Sequence, residues 1–359
     1  MKGIILFTLS IIVSMLVIAQ EKYKKFHVWE SFTNIPDSVG FAGAFAGVIN
    51  GRLVVAGGSN FPNGGAPWRG SAKVWYDDIY VLDSPMGEWK HMAKLPKKLG
   101  YGVSISLPWG MLLIGGSDED GHYADVYQLQ YSDGKIIIDT LPSLPIPLAN
   151  SCGALVGSKV YVAGGQQQPS DLETLRTLFC LDLNDMTHGW RRLADIPGPS
   201  RMLAVAASDE ECFYVFSGAQ LINGKRKYLT DAYRLKADKW ERIEDLPVAT
   251  VAAPTPAYAT SEGIYVFGGD DGTLANSDLR ERHPGFSKNI IRYDKANNEW
   301  RKAGEIKVQI HQDAILQPNN SIWAPVTTTA VLWEERYVLP GGEVRPATRT
   351  PRVIAVKLD

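Results

Sequence analysis

Cysteine is scarce: the chain of 359 residues holds only Cys152, Cys180 and Cys212. Three thiols cannot all pair within one molecule, and their spacing fits neither a zinc site nor a redox Cys-x-x-Cys. They lie in apolar, strand-like contexts, so buried small side chains are expected rather than a disulfide. The six histidines, His122 and His311 among them, show no metal-ligand spacing either. The Cys, Tyr and His set of a copper radical oxidase cannot be assembled.

An excess of one charge is also missing. The formal net charge is -2, which gives no general field towards nucleic acid or anionic lipid. No stretch is low in complexity, and no long stretch holds a helical period. There is a single long apolar run, Gly3 to Ala19, behind Lys2. With Val17-Ile18-Ala19 before Gln20 or Glu21, it reads as a secretory signal with its cleavage site. The rival is an uncleaved membrane anchor, since the run approaches spanning length. No cysteine ends the run, so lipidation is not indicated there. The expectation is a signal peptide over 1-20 and one soluble domain over 21-359, periplasmic or secreted.

What the chain has is glycine, proline and aromatics: Gly 34, Pro 21, Trp 10 and Tyr 15. A Gly pair recurs behind short β-branched and aromatic runs. Leu53-Val54-Val55-Ala56-Gly57-Gly58 is followed by copies ending at Gly115-Gly116, Gly164-Gly165, Ser217-Gly218, Gly268-Gly269 and Gly341-Gly342. The fourth copy has Ser217 in place of the first glycine. A second strand follows most pairs, as in Asp78-Ile79-Tyr80-Val81-Leu82. Trp89, Trp190, Trp240 and Trp300 then open a third, with Ile136-Ile137-Ile138 in the copy that lacks a Trp. A repeat of about fifty residues made of four such strands is a propeller blade pattern. The fold expected is all-β, a six-bladed β-propeller. After Gly341-Gly342 there is room for one more strand, Val353 to Leu358. The missing Trp strand of that blade lies at the other end, Phe26-His27-Val28-Trp29-Glu30. The N-terminal strand should therefore complete the last blade and remove an open edge. These repeats resemble Kelch motifs over essentially the whole mature chain.

In such a ring the residues after each Gly pair converge on the channel mouth, and Tyr101, Asn150 and Arg201, which open first strands, should line it too. The sixth copy concentrates charge there: Gly342-Glu343-Val344-Arg345-Pro346-Ala347-Thr348-Arg349-Thr350. The acid, amides and cations suit a hydroxylated anionic small molecule, because arginine pairs with a carboxylate in a planar, bidentate way.

That loop resembles the Gly-Glu-x-(Lys/Arg)-Pro-x-x-Arg-Thr loop of N-acetylneuraminate epimerases, the sialic acid mutarotases, which are secreted Kelch-type propellers. Two further blocks agree: Gly40-Phe41-Ala42-Gly43-Ala44-Phe45-Ala46-Gly47 leading to Ala56-Gly57-Gly58, and Tyr101-Gly102-Val103-Ser104 with Leu107-Pro108-Trp109. In the characterised bacterial enzymes these blocks follow the Glu/Arg loop. Here they precede it, so the chain looks like a cyclic permutation. The resemblance implies Glu343 as proton acceptor and Arg349 as its partner or carboxylate clamp. Arg345, Asn60, Arg201, Tyr101 and Gln166 are the candidate sugar contacts, while Trp68 and Lys73 carry no catalytic warrant. Leu99 departs from the family, which has Arg there. Anomer exchange needs a proton removed from the anomeric hydroxyl and one supplied to the ring oxygen, which a carboxylate can shuttle. No metal, cofactor or nucleotide is required. The partner expected is N-acetylneuraminate, with no nucleic acid and no stable membrane insertion.

Plainer readings stand beside these. Glu343 and Arg349 could form a salt bridge that ties down a loop. Arg345 could be a solvated charge, Arg201 an inter-blade contact, and Asp270-Asp271-Gly272 a tight turn. The whole could be a non-catalytic Kelch carbohydrate-binding or protein-interaction module, or a mutarotase for another sugar.

Overall fold

At each repeated Gly pair the backbone runs through positive φ twice, +62° and +95° at Gly57 and Gly58. A Cβ on Gly57 would lie 2.1 Å from the Leu99 carbonyl oxygen of the next blade. Both constraints select glycine. The computed structural model describes Phe26 and residues 28-357, so the expected signal segment 1-20 lies outside the described residues. Among the described residues no helix is long and apolar enough to cross a membrane.

Each pair lies at the end of the second strand of a four-stranded antiparallel sheet, and the described residues form six such sheets. Blade 1 is Phe45–Ile49, Arg52–Ala56, Asp78–Leu82 and Trp89–Lys94. Blades 2 to 5 repeat the order over 103-141, 152-192, 205-243 and 258-305. Blade 6 takes Val331–Trp333, Arg336–Pro340 and Val353–Lys357 from the C-terminal part and Trp29–Phe32 from the N-terminal part. The expected closure is observed, with Trp29 opposite Val356 and Phe32 opposite Val353. The strand itself starts three residues later than the sequence indicated, at Trp29 rather than Phe26.

The strands are apolar on both faces because each blade is packed between two others. One cluster joins Val55 and Leu53 of blade 1 to Val338, Val353 and Trp333 of blade 6. Tryptophan ties neighbours at the rim: Trp89, Trp190, Trp240 and Trp300 donate Nε1–H to the carbonyls of Thr33, Pro142, Ala194 and Glu244, at 2.8–2.9 Å. Each acceptor follows the outer strand of the preceding blade. The indole thus buries area between blades and still satisfies its N–H. Cys152, Cys180 and Cys212 are buried and unpaired, as expected.

At the axis a circle of backbone hydrogen bonds joins the six blades. Gly43, Tyr101, Asn150, Leu203, Ala252 and Thr327 occupy equivalent places, all at φ between +53° and +66°. Each N–H donates to the carbonyl of the member before it, Tyr101 to Gly43 through Thr327 to Ala252, and Gly43 closes the circle onto Thr327. The bonds run from 2.7 to 2.9 Å. Left-handed backbone is unfavourable for five of these residues. The closed hydrogen-bond circle, with every buried polar group paired, offsets that cost.

Candidate functional site

The first residue after each Gly pair forms a second ring. Ser59, Ser117, Gln166, Ala219, Asp270 and Glu343 each bridge to the segment before their blade's inner strand, as Glu343 does to Val326 and Asp270 to Val251. Three of the six, Gln166, Asp270 and Glu343, line a cavity of about 540 Å³ at this mouth. Tyr101 and Asn150 contribute from the axial circle, and Arg349, Lys73 and Arg226 supply cations. Phe61, Trp68 and Phe286 give it aromatic wall. The cavity is of a size for a small ligand and mixes apolar wall with a few charged groups.

Glu343 and Arg349 sit on a hairpin of Glu343–Arg345 against Thr348–Arg349, where Glu343 faces Arg349 directly. Pro346 and Ala347 make the turn, with Ala347 at φ +59°. Ala347 N–H donates to Glu343 Oε1 at 2.8 Å. Arg349 Nη1 lies 3.4 Å from the same oxygen, an ion-pair contact too poorly formed to be a hydrogen bond. Glu343 Oε2 is left without a hydrogen-bond partner among the described residues. The Arg349 side chain is only 3% exposed. Its Nη2 reaches Tyr101 Oη at 3.4 Å and its guanidinium lies 5.0 Å from the centre of the Phe61 ring. Burial opposes its charge, but Glu343 and Tyr101 more than compensate and raise its pKa. Nε and Nη1 are buried with no hydrogen-bond partner. A buried cation with idle donors on a cavity wall calls for an anionic acceptor. The plain salt bridge therefore describes only part of what this pair does.

Tyr101 and Gln166 line the cavity as the sequence indicated. Tyr101 Oη is also within 3.1 Å of Ser59 Oγ, and Gln166 Oε1 accepts from Asn150 Nδ2 at 3.2 Å. Three other candidates do not face it. Asn60 is one residue beyond the ring position, so alternation along the strand turns it away. It is buried and binds the Gly40 carbonyl and the Tyr76 hydroxyl. Arg201 lies two residues before the axial position held by Leu203. It is fully buried, donates Nη2 to Asp231 Oδ2 at 2.6 Å and Nη1 to the Ser217 carbonyl, and joins blades rather than holding sugar. Leu99 stands two residues before Tyr101, the equivalent place, and is likewise fully buried. Its departure concerns inter-blade packing and leaves the cavity untouched. Arg345 is neither a cavity group nor a solvated charge. The hairpin shifts register between Glu343 and Arg345, and Arg345 is 2% exposed, with Nη1 on the Glu281 carbonyl at 2.6 Å. Burial lowers its pKa.

Arg226 was not visible as a site residue in the sequence. It stands on a hairpin, Ala219–Ile222 with Lys225–Tyr228, inserted after the fourth Gly pair. The signal was the run Gly224-Lys225-Arg226-Lys227, polar and turn-like between two strands. Asp270 does form the expected turn, accepting Gly272 N–H at 3.0 Å, but its other oxygen holds Tyr228 Oη at 2.6 Å and it lines the cavity. Burial and Asp270 push the Tyr228 hydroxyl up to about 12. Among the described residues no group of His, Cys, Asp and Glu could hold a metal ion.

Comparison with known proteins agrees with the hairpin's resemblance. Residues 15–138 and 141–359 match the family model described as N-acetylneuraminate epimerase. The chain is similar to the N-acetylneuraminate epimerase of Brucella suis, 36% identical over 124 residues, which cover 30% of this chain and 31% of that protein. It is 32% identical over 123 residues to the N-acetylneuraminate epimerase of Pasteurella multocida, covering 30% and 32%. N-acetylneuraminate epimerase 1 of Escherichia coli O6:H1 is 37% identical over 119 residues, covering 31% and 32%. The chain thus spans about a third of the length of the curated relatives it matches. The family match, by contrast, takes in nearly all of the described propeller, and the chain belongs to the N-acetylneuraminate epimerase family.

Proposed function

We propose that this protein accelerates the interconversion of the α and β anomers of N-acetylneuraminate by acid-base ring opening and closure. The observation that carries the reading is the pairing of Glu343 with a buried, under-bonded Arg349 on the wall of the axial cavity. Arg349 binds the sugar's carboxylate through its idle donors. Glu343 takes the proton of the anomeric hydroxyl at its free oxygen. The ring C–O bond breaks, the ring oxygen is protonated, and a planar keto group forms at the anomeric carbon. Rotation presents its other face. The hydroxyl adds back to that face and loses its proton, and the former anomeric oxygen regains one. Each proton that leaves is returned, so no redox partner or co-substrate is consumed. The free sugar opens unaided in water, so a positioned base contributing about 10²-fold is sufficient.

The test is anomer-exchange NMR of N-acetylneuraminate with and without the purified protein. Exchange no faster than in buffer rejects the reading and leaves a carbohydrate-binding propeller.

Two finer points belong to the same proposal. The chain order is a cyclic permutation of the family's order, supported by a family match in two pieces and by pairwise similarity confined to about a third of each chain. Lys2 and the apolar run to Ala19 support export, so the site would work in the periplasm or outside the cell.

A further inference from the structure

The cavity is walled on one side by segments from three blades, and one residue outside the cavity holds all three. Glu281 sits in the 3-10 turn Arg280–Arg282 of blade 5's long loop. Its carboxylate Oε1 accepts Trp68 Nε1–H at 2.8 Å and faces Arg69 Nε at 2.6 Å. Trp68 and Arg69 belong to blade 1, 213 residues away in the first case. The Glu281 backbone carbonyl accepts Arg345 Nη1–H at 2.6 Å, from blade 6. Blade 6 lies between blades 1 and 5, so the clasp spans the blade whose hairpin carries Glu343.

Each link ends on a piece of the cavity. Trp68 is itself wall, and so is Phe286, five residues beyond Glu281. Arg345 lies in the hairpin between Glu343 and Arg349, with its guanidinium 5.2 Å from the Trp323 ring centre. A buried arginine held by one carbonyl and an aromatic face fixes the hairpin from behind. The Trp68 hydrogen bond, the largest influence on Glu281, helps hold its carboxyl below the ordinary range. The clasp therefore keeps its charged form at neutral pH.

We infer that Glu281 is a positioning residue for anomer exchange, setting the Trp68 wall and the Glu343 hairpin in register through bonds to Trp68, Arg69 and Arg345. The inference rests on the proposed function and adds a residue to it. The carboxylate ties blade 5's loop to blade 1 and the backbone carbonyl of the same residue ties it to blade 6, and a general base must be held within a fraction of an ångström to be effective.

The experiment compares wild type, Glu281→Ala, Glu281→Gln and Trp68→Phe as purified full chains. Anomer exchange gives kcat and KM, and amide hydrogen exchange reports on segments 61-73 and 343-349. Glu281→Ala is expected to lower kcat/KM by about 10- to 100-fold, with faster amide exchange in both segments. Both Glu281 variants keep the backbone carbonyl for Arg345; Glu281→Gln also keeps an oxygen acceptor for Trp68, and should stay within about three-fold of wild type, because the Arg69 pair it loses is exposed. Trp68→Phe, which keeps a ring but drops the N–H, should raise KM. Wild-type kcat, KM and amide protection in Glu281→Ala overturn the inference, as does a variant that only melts earlier. If wild type itself fails to accelerate exchange, the functional reading falls instead. Amide exchange still decides the clasp in that case: unchanged protection of 343-349 in Glu281→Ala refutes it.

Discussion

A single carboxylate oxygen and two idle arginine nitrogens carry the chemical argument. Glu343→Gln leaves a side-chain oxygen to accept the Ala347 N–H, so the hairpin should persist while the base is lost. Expected is a fall in anomer exchange of about 10²-fold or more, with sugar binding retained in calorimetry. Arg349→Lys keeps the charge but not the planar fork, and should weaken binding of the sugar acid by about ten-fold. A third residue sets a pH limit. His283 is buried and lines a neighbouring pocket with Asp270 and Phe286, and its Nδ1 accepts the Gly285 N–H at 3.2 Å, which only the neutral ring can do. Burial lowers its pKa from the ordinary 6.5, with Arg345 adding to the effect and Asp270 and Glu343 opposing it. The unfolded chain then binds more protons than the fold between 6.5 and the native value. The stability contribution is complete above 6.5 and is lost as pH falls through the native pKa. His122 is shifted the same way by burial and adds to the slope. The melting temperature should decline from about pH 7 to about pH 5. His283→Asn, which accepts the same N–H without titrating, should decline less.

At the scale of the element, the Gly pair is where sequence and structure meet most directly. Its double positive φ and the approach of the next blade's carbonyl leave no room for a side chain. The one exception explains itself. Ser217 holds φ +55°, donates Oγ–H to the Leu229 carbonyl at 2.8 Å and accepts Thr250 N–H at 2.8 Å. Ser217→Ala keeps the strain and leaves a buried N–H and a buried carbonyl each short of a partner, so about 2 kcal/mol of stability should be lost in denaturant titration. Strand order and blade closure were legible because Gly pairs and tryptophans mark fixed places in every blade. Of the site, Glu343 and Arg349 were legible as a local cluster. Asn60, Arg201 and Arg345 were misplaced because residue type does not say which way a side chain turns. One residue of offset sends Asn60 into blade 1, two send Arg201 into an inter-blade pair, and a register shift sends Arg345 behind its own hairpin. Lys73, Arg226 and Phe286 come from insertions between strands, where no period exists to predict convergence.

On the scale of the whole molecule, the ring has no preferred starting point. Every blade meets its neighbours through the axial hydrogen bonds, and four of the six junctions add a rim tryptophan. The first and last described strands meet inside blade 6, where Trp29 faces Val356 and Lys357 N–H reaches the Val28 carbonyl at 3.1 Å. Such neighbouring ends can be joined without crossing the sheet. The break can then move to the connection between blades 2 and 3, just after the outer strand Lys135–Leu141, near whose end the family match divides at 138/141. A permutant that links 357 to 26 through a short Gly/Ser segment, keeping the buried Phe26 ring, and opens between Leu141 and Pro142 separates no strand from its sheet. It does free one side of the Pro142 carbonyl that Trp190 binds, at a cost of about 1 kcal/mol. Such a chain should melt within a few degrees of the parent and keep its rate of anomer exchange, since Glu343, Arg349 and Glu281 stay on one continuous segment. Removing Trp29–Phe32 without relinking is the opposing case. It leaves Val353–Lys357 as an open apolar edge, and size-exclusion chromatography should then show association of chains through that edge.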